Sequence, residues 1–228
     1  MSKPTTARRT PLTRERVLRA AIAFADEHGV EALSMRKLAD GLGVQAMSLY
    51  NHVANKEDLL DGILDSALAE IAVPRADTDW RMQIREVAIS AHETTLRHPW
   101  AADLSVRAKL GPGRLQYSES LLGCFRNAGF SKELTFHAYH IVESYIQGFT
   151  ALVLNYRAVD PKALGDIVER FVRGDFAEDF PHFTEHALQH MEPEPGQDEV
   201  NAFELGVDLL LDGLERLRDE GFLSSGSG

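Results

Sequence analysis

The sequence predicts an all-α protein, in which an N-terminal three-helix helix-turn-helix domain precedes a larger helical domain. Three observations predict this arrangement. Apolar residues recur at spacings of three and four along most of the chain, which is the spacing of one helix face. Glycine and proline separate the periodic segments, and no segment alternates as a strand does. The first quarter of the chain is basic and the remainder is acidic.

Length and composition restrict the class of protein. The chain has 228 residues, of which 44% are hydrophobic and 26% charged, as in an ordinary globular protein. Its one cysteine, Cys124, excludes an internal disulfide framework and a cysteine-based zinc ribbon within one chain. No apolar run approaches the ~18 residues of a spanning helix, and the N-terminus lacks the apolar stretch of a signal peptide. We therefore expect a cytoplasmic protein with no membrane partner.

The net charge of −11 argues against nucleic-acid binding, but the distribution of charge argues for it. Residues 1–56 carry nine lysines and arginines against five acidic residues, a net charge of +4. The remaining residues carry 15 basic and 30 acidic side chains. This asymmetry indicates a basic head that binds phosphate and an acidic body with another role. The alternative is chance clustering of surface charge.

The N-terminal helices have recognisable ends. Gly29 ends the first helix, Ser34 caps the second, Gly43 follows it, and Asn55 caps the fourth. Together with the apolar spacing, these residues predict helices at 13–28, 34–42, 45–52 and 55–72.

The rest of the chain is also predicted to be helical. Periodic segments lie at residues 80–98, 100–110, 114–128, 131–156, 161–173, 181–191 and 198–219, and prolines interrupt the chain within 192–196. The predicted organisation is a flexible basic arm at 1–12, a helix-turn-helix domain at 13–60 with its fourth helix as connector, a helical body at 73–221 and a flexible tail at 222–228.

A short helix, a tight glycine-containing turn and a second short helix follow the longer first helix. This is the geometry that places the second short helix in the major groove of DNA. Leu38, Leu49 and Val53 have the spacing of internal packing residues. The outward-facing set combines amide, hydroxyl, methyl and aromatic groups, which can contact base edges or phosphate. Its members are Gln45, Ala46, Met47, Ser48, Tyr50, Asn51 and His52.

A longer pattern extends from Leu33 to Leu60. It contains Leu-Ser-Met-Arg-Lys-Leu-Ala, then Leu-Gly-Val-Gln-Ala-Met-Ser-Leu-Tyr-Asn-His-Val-Ala-Asn-Lys-Glu-Asp-Leu-Leu. This pattern resembles the N-terminal domain of the tetracycline-repressor (TetR) family. The resemblance implies that Lys56 binds phosphate at the N-terminus of the fourth helix. It also implies operator contacts by Ser34, Arg36, Gln45, Ala46, Met47, Ser48, Tyr50 and His52.

Some of these positions have alternative roles. For Tyr50 the alternative is core packing with its hydroxyl at the surface, and for Met47 it is an exposed position without contacts. Arg8, Arg9 and Arg14 form either an arm that reaches the DNA or a solvated tail.

The last predicted helix has apolar and small residues at the spacing of a helix-pairing face. Each interior glycine costs about 1 kcal/mol relative to alanine, which close helix packing would offset. Heads of this kind bind half-sites about 34–36 Å apart, so we expect a dimer in which this helix and residues 131–156 pair with their symmetry mates. The TetR resemblance implies the same four-helix bundle, and the alternative is an ordinary core helix. The predicted interface comprises Tyr145, Phe149, Leu152, Phe203, Gly206, Val207, Leu210, Gly213, Leu214 and Leu217.

Polar residues on the long predicted helix at 131–156 indicate either a solvated face or a cavity for a polar ligand. The TetR resemblance implies a small-molecule effector whose binding releases DNA, but it does not indicate tetracycline. Counted from Trp80, the family's drug-binding asparagine and phenylalanine fall opposite Val87 and Ala91, which cannot make those contacts. The predicted effector pocket comprises Trp100, Leu104, Arg107, Tyr117, Phe136, His140, Glu143 and Gln147.

Metal binding and catalysis have little support. His182, His186 and His190 have a metal-ligand spacing, but a row of three helical turns cannot meet at one ion, so we expect a solvated face and no metal. Cys124 lies among apolar residues, as an inert buried thiol does, and no catalytic motif is present. The TetR resemblance implies a ligand-responsive repressor, and the sequence predicts no enzymatic activity and no cofactor. The rival is a helical dimer that binds a small molecule or acts as a scaffold without specific DNA binding.

Overall fold

The structure, a computed structural model, describes residues 11–74, 79–105, 111–160, 162, 165–166, 169, 176–191 and 201–222. Within these ranges every regular element is helical, so the predicted fold class is confirmed. None of the helices described is long and apolar enough to span a membrane. The helices are α1 (Arg14–His28), α2 (Met35–Leu42), α3 (Ala46–Leu49), α4 (Lys56–Leu68), α5 (Trp80–Arg97), α6 (Trp100–Ser105), α7 (Pro112–Asn127), α8 (Lys132–Ala158), α9 (Phe176–Asp179), α10 (Pro181–Met191) and α11 (Ala202–Asp219), with a 3₁₀ turn at Val30–Ala32.

The helices begin where short polar side chains can cap them. Thr13, Ser34, Asn55, Ser131 and Asn201 each accept a hydrogen bond from a backbone N–H two or three residues further on. The last helix begins at Ala202 rather than at the predicted Asp198, because the Asn201 side chain caps it there.

The second short helix is shorter than predicted. α3 ends at Leu49, because the N–H groups of His52 and Val53 both donate to the Leu49 carbonyl, at 2.8 and 3.0 Å, and the chain turns there. Gly43 ends α2 with a φ of +67°, a left-handed conformation that glycine adopts without steric cost.

The described residues form two compact units. The head contains those between 11 and 71 and between 97 and 119, and the body contains those between 72 and 96 and from 120 onward. The sequence predicts a body at residues 73–221. By their contacts, α6 and the first half of α7 group with the head.

Contacts within the head explain this grouping. Trp100 is only 4% exposed and packs, with Leu104, against the apolar core built by the first four helices. Its indole N–H donates to Asp26 Oδ1 at 2.7 Å, and His98 Nδ1 lies 2.7 Å from the same oxygen. The Gly113 N–H, at the start of α7, donates to Asp65 Oδ1 of α4 at 2.6 Å.

The body has a core of its own, to which α5, α7, α8 and α11 contribute. Trp80 packs edge-on against Phe130 at 5.0 Å between ring centroids, and Phe125 lies 5.1 Å from Phe130. The Arg218 guanidinium lies over Trp80 at 5.4 Å. Arg218 thereby covers one end of the aromatic cluster, because a cation is attracted to the face of an aromatic ring.

Candidate nucleic-acid interface

The surface formed by α3 and the residues after it presents side chains that can read DNA. Gln45, Met47, Tyr50 and Asn51 are exposed, and Met47 is 73% exposed. Leu49 points inward and is fully buried, which holds the short helix against the head core. The remaining predicted contacts are half-buried rather than buried: Ser34, Ala46, Ser48 and His52.

Lys56 is the first residue of α4 and its side chain is exposed. The free N–H groups and the dipole of a helix N-terminus attract anions, and a lysine at this position adds a full positive charge. Arg36, in the first turn of α2, is exposed as well. The head therefore offers cationic groups on two helices for phosphate contacts.

Arg14 does not behave as part of a disordered arm. It is the first residue of α1, and it forms a bidentate ion pair with Asp58 of α4, with nitrogen-to-oxygen distances of 2.8 and 3.1 Å. Hydrogen bonding to Asp58 raises the pKa of the Arg14 guanidinium. Arg8 and Arg9, the other residues of the predicted arm, lie outside the described residues.

In the body, a buried histidine sits within an aromatic cluster. The His92 ring stacks on Phe203 at 4.1 Å and an interplanar angle of 12°, and it meets Phe149 edge-on at 5.9 Å. Its Nδ1 lies 2.7 Å from Thr150 Oγ1. Burial lowers the pKa of His92, and the positive charge of Arg157 acts in the same direction. His92 is therefore held in its neutral form at neutral pH.

Two arginines of α5 pair with acidic residues of α11. Arg81 donates to Glu215 at 2.6 Å and also to Asp212. Arg85 donates through Nε to Asp208 at 3.0 Å, and it also pairs with Glu204. Part of the acidic charge of the body is thus used to attach α11 to α5.

Gly206 of α11 is where Tyr145 of α8 approaches the backbone. The Tyr145 hydroxyl donates to the Phe203 carbonyl at 3.0 Å. A Cβ at position 206 would lie 1.9 Å from this hydroxyl oxygen and 2.5 Å from the ring carbon that bears it. Burial also raises the pKa of Tyr145, so the hydroxyl remains a donor at neutral pH. Close packing of α8 on α11 thus explains one of the two glycines of α11.

We expect Gly206→Ala to lower the free energy of unfolding. Moving the Tyr145 ring away costs about 1–3 kcal/mol, as overpacking usually does, whereas alanine in place of a helical glycine gains only up to about 1 kcal/mol. Gly123→Ala in α7 is the matched control, because no described atom lies within 4 Å of a Cβ built there. Urea denaturation should show a loss for Gly206→Ala and a small gain for Gly123→Ala. Equal effects of the two substitutions would contradict the contact.

Comparisons with known protein families match both parts of the chain. Residues 17–72 match the model of bacterial regulatory proteins of the tetR family, and residues 73–218 match the tetracyclin repressor-like C-terminal domain. The chain belongs to the TetR family. It is a TetR-family transcriptional regulator.

Known TetR-family relatives are similar along most of the chain. A transcriptional regulator from Saccharopolyspora erythraea is 34% identical over 205 residues, which cover 89% of this chain and 84% of the relative. The class A tetracycline repressor of transposon 1721 from Escherichia coli is 33% identical over 214 residues, covering 92% and 93%. The crystal structure of Streptomyces coelicolor ActR in complex with actinorhodin is 28% identical, with a TM-score of 0.72 and coverage of 91% and 98%.

Several residues of the predicted dimer interface pack within the chain itself. Phe203, Val207 and Leu214 are buried within the chain itself, so its own core uses these side chains. Tyr145 contacts Gly206 and Phe203 in the same chain, and Phe149 contacts His92. Periodicity located an apolar face but could not tell whether α8 of the same chain or a partner covers it. Of the other residues of the predicted interface, Leu152 and Leu217 are exposed, and the half-exposed ones are Tyr145, Phe149, Gly206, Leu210 and Gly213.

The predicted effector pocket is divided between the two units. Trp100 and Leu104 pack on the head core. Tyr117 is buried and also belongs to the head, and Arg107 lies outside the described residues. Among the α8 residues, Phe136, His140 and Gln147 are exposed and Glu143 is half-exposed. Gln147 Nε2 donates to Glu143 Oε2 at 2.9 Å, so these two form a polar pair along α8.

The three histidines of α10 are the residues that the sequence predicts to form a solvated face without a metal ion. His182 and His186 are exposed, and the side chain of His190 lies outside the described residues. In the described part of the chain, no group of three or more His, Cys, Asp or Glu residues could hold a metal ion.

The residues that form ion pairs between helices have no recognisable pattern in the local sequence. Asp58 looks like an ordinary first-turn acid, and Arg81 and Arg85 look like surface residues of an amphipathic helix. Their partners are 44 to 134 positions away in the chain, so no local spacing reveals them. The sequence indicates these pairs only through an excess of acidic residues on α11 and the two arginines on α5.

Proposed function

We propose that this TetR-family regulator is a repressor that binds a palindromic operator as a homodimer and is released by a small-molecule effector. The exposed α3 surface is the single observation that carries the DNA-binding part of this proposal. A helix of one turn, seated on a complete apolar core, presents amide, hydroxyl and aromatic groups at a spacing suited to base edges. We propose that the DNA-contacting residues are Ser34, Arg36, Gln45, Ala46, Met47, Ser48, Tyr50, Asn51, His52 and Lys56.

A second copy of the chain is the proposed dimerisation partner. Large apolar side chains on the outer faces of α8 and α11 support this, and Leu209 is 63% exposed. An exposed apolar face of this kind is unfavourable in water and favours association. We propose an interface built on Leu152, Tyr156, Leu205, Leu209, Leu210, Gly213 and Leu217. Two heads related by two-fold symmetry would then match two half-sites.

The proposed effector is an organic small molecule that binds the body. ActR, a similar protein, binds actinorhodin in its crystal structure, and the body carries both aromatic and polar side chains. We propose that Phe136, His140, Glu143 and Gln147 of α8 contribute to effector binding. Val87 and Ala91 are apolar and buried on α5, which supports an effector other than tetracycline.

The proposal includes no catalytic role. Burial raises the pKa of the Cys124 thiol to about 11, so the nucleophilic thiolate is scarce at neutral pH. We place the protein in the cytoplasm because its proposed partner is the chromosomal operator.

A selection from random duplexes tests the proposed function. The purified protein is mixed with a pool of random duplexes at low ionic strength, and the retained duplexes are sequenced. We expect an enriched inverted repeat with half-sites about one helical turn apart. A panel of aromatic small molecules is then screened for release of this duplex. Retention of no duplex above background would contradict the proposal and favour a helical dimer that does not bind DNA.

We expect Lys56→Gln to weaken binding to all duplexes about equally and to reduce the slope of log affinity against log salt by about one. The physical reason is the loss of one phosphate contact and of the counterion that it releases. Lys132→Gln is the matched control, because Lys132 is likewise an exposed first residue of a capped helix but lies in the body. Mobility shifts at several salt concentrations measure both quantities. An unchanged affinity and slope for Lys56→Gln would contradict the phosphate contact.

A further inference from the structure

The Arg14–Asp58 ion pair also binds the backbone of the turn between α3 and α4. Arg14 Nη1 donates to the His52 carbonyl at 2.8 Å, in addition to its contact with Asp58. Asp58 Oδ2 accepts from the Ala54 N–H at 2.7 Å. One side-chain pair thus binds one backbone group of His52, the last residue of the α3 surface, and another of Ala54, directly before the α4 cap.

The geometry of the pair is of the kind that restricts motion. The planar guanidinium donates two parallel hydrogen bonds to the carboxylate, an arrangement that lysine cannot reproduce. Exposed ion pairs usually contribute little, but bidentate pairs that belong to a network are the exception. The Asp58 N–H also donates to the Asn55 side chain at 2.8 Å, so the carboxylate projects from a capped helix end.

We propose that Arg14 and Asp58 are positioning residues for DNA binding. Together they hold the turn that separates the base-reading side chains after Gln45 from the phosphate-binding Lys56. If this turn moves, the two kinds of contact no longer match one stretch of duplex, and binding weakens although no DNA contact has been removed. The proposal rests on the proposed DNA-binding function of the head.

Charge and positioning lead to opposite expectations for Asp58. Asp58→Asn removes a negative charge from the DNA-binding head, and long-range electrostatics alone predicts stronger binding to the polyanion. Loss of the bidentate pair predicts weaker binding, because the asparagine amide presents a donor to the donors of Arg14. The sign of the change therefore decides between the two.

The test is a double-substitution cycle measured on the selected operator duplex. The proteins are the wild type, Arg14→Gln, Asp58→Asn and the combination of both. We expect each single substitution to weaken binding about tenfold. We expect the double variant to bind the operator no less tightly than the single variant with the lower affinity, because both substitutions remove the same interaction. The salt slope of Arg14→Gln should equal that of the wild type, because Arg14 does not neutralise a phosphate.

Two further variants distinguish the effect of losing the ion pair from the effect of losing one positive charge. Arg19→Gln removes one positive charge from an exposed position of the same helix, and we expect nearly wild-type affinity. Arg14→Lys keeps the charge but not the bidentate geometry, and we expect it not to restore binding. Thermal unfolding midpoints are measured for every variant, so that affinities are compared only where the protein is folded.

Several results would overturn the proposal. These are wild-type or stronger binding by Asp58→Asn, additive effects in the cycle, rescue by Arg14→Lys, or a salt slope reduced by about one in Arg14→Gln. Hydrogen exchange of the Ala54 amide tests the pair without DNA, and we expect faster exchange in Asp58→Ala. If the wild type binds no duplex, the proposed function fails. If it binds while the variants bind equally well, only the positioning role fails.

Discussion

Trp100→Ala is expected to lower the free energy of unfolding by about 3–5 kcal/mol, the usual cost of truncating a buried large aromatic side chain. Trp100 is almost completely buried in the head core, and its indole N–H donates to Asp26. The substitution leaves a cavity where α6 packs on the first four helices, and it removes one of the two donors to the Asp26 carboxylate. Urea denaturation followed by circular dichroism measures the loss.

Two variants control this prediction. Trp100→Phe keeps most of the ring but loses the hydrogen bond, so we expect a smaller cost of about 1–2 kcal/mol. Leu115→Ala truncates an exposed apolar side chain of the same unit, and we expect a change within about 0.5 kcal/mol. If Trp100→Ala left the stability unchanged and lowered only the response to an effector, Trp100 would line a ligand site after all.

Local signals in the sequence were sufficient to place the first four helices of the head, apart from the early end of α3. The glycine after α2, the cap at Ser34 and the burial of Leu49 between less buried neighbours are all properties of a few adjacent residues. Capping and left-handed turns depend on local backbone chemistry, so they can be read without knowing the tertiary contacts. The exposure of Gln45, Met47, Tyr50 and Asn51 could therefore be predicted, whereas Ala46, Ser48 and His52 are half-buried.

The body could not be predicted to the same depth, because its helices carry more than one apolar face. The step from Val207 to Leu210 fits a two-helix seam, but in the structure the fully buried position is Leu211. Several helices of the same chain cover α11, and periodicity does not record which neighbour lies on which face. Trp100 shows the same limit, since an aromatic residue at the start of a helix suits a pocket wall and a core equally well.

Phe203→Ala is expected to destabilise the body by about 3–5 kcal/mol. Phe203 is 1% exposed and lies between the rings of His92 and Tyr145, at 4.1 and 5.4 Å between centroids. Phe203→Leu retains most of the buried volume and should cost less than about 1.5 kcal/mol. Because the side chain is enclosed within one chain, the folded variant should keep the oligomeric state of the wild type in sedimentation. Dissociation without loss of helicity would instead assign Phe203 to the partner interface.

The same substitution should change the titration of His92. Burial lowers the pKa of His92 in the folded protein below the ordinary histidine value of about 6.5. As the pH falls through 6.5, the unfolded chain therefore binds a proton at this histidine more readily than the folded protein does. This histidine therefore contributes stability at neutral pH that is lost as the pH falls through 6.5 toward the folded pKa. Phe203→Ala opens the stacked face of the ring to water, which raises the pKa of His92 and weakens this dependence on pH. NMR titration of the imidazole measures the shift, and an unchanged pKa would mean that the Phe203 ring does not exclude water from His92.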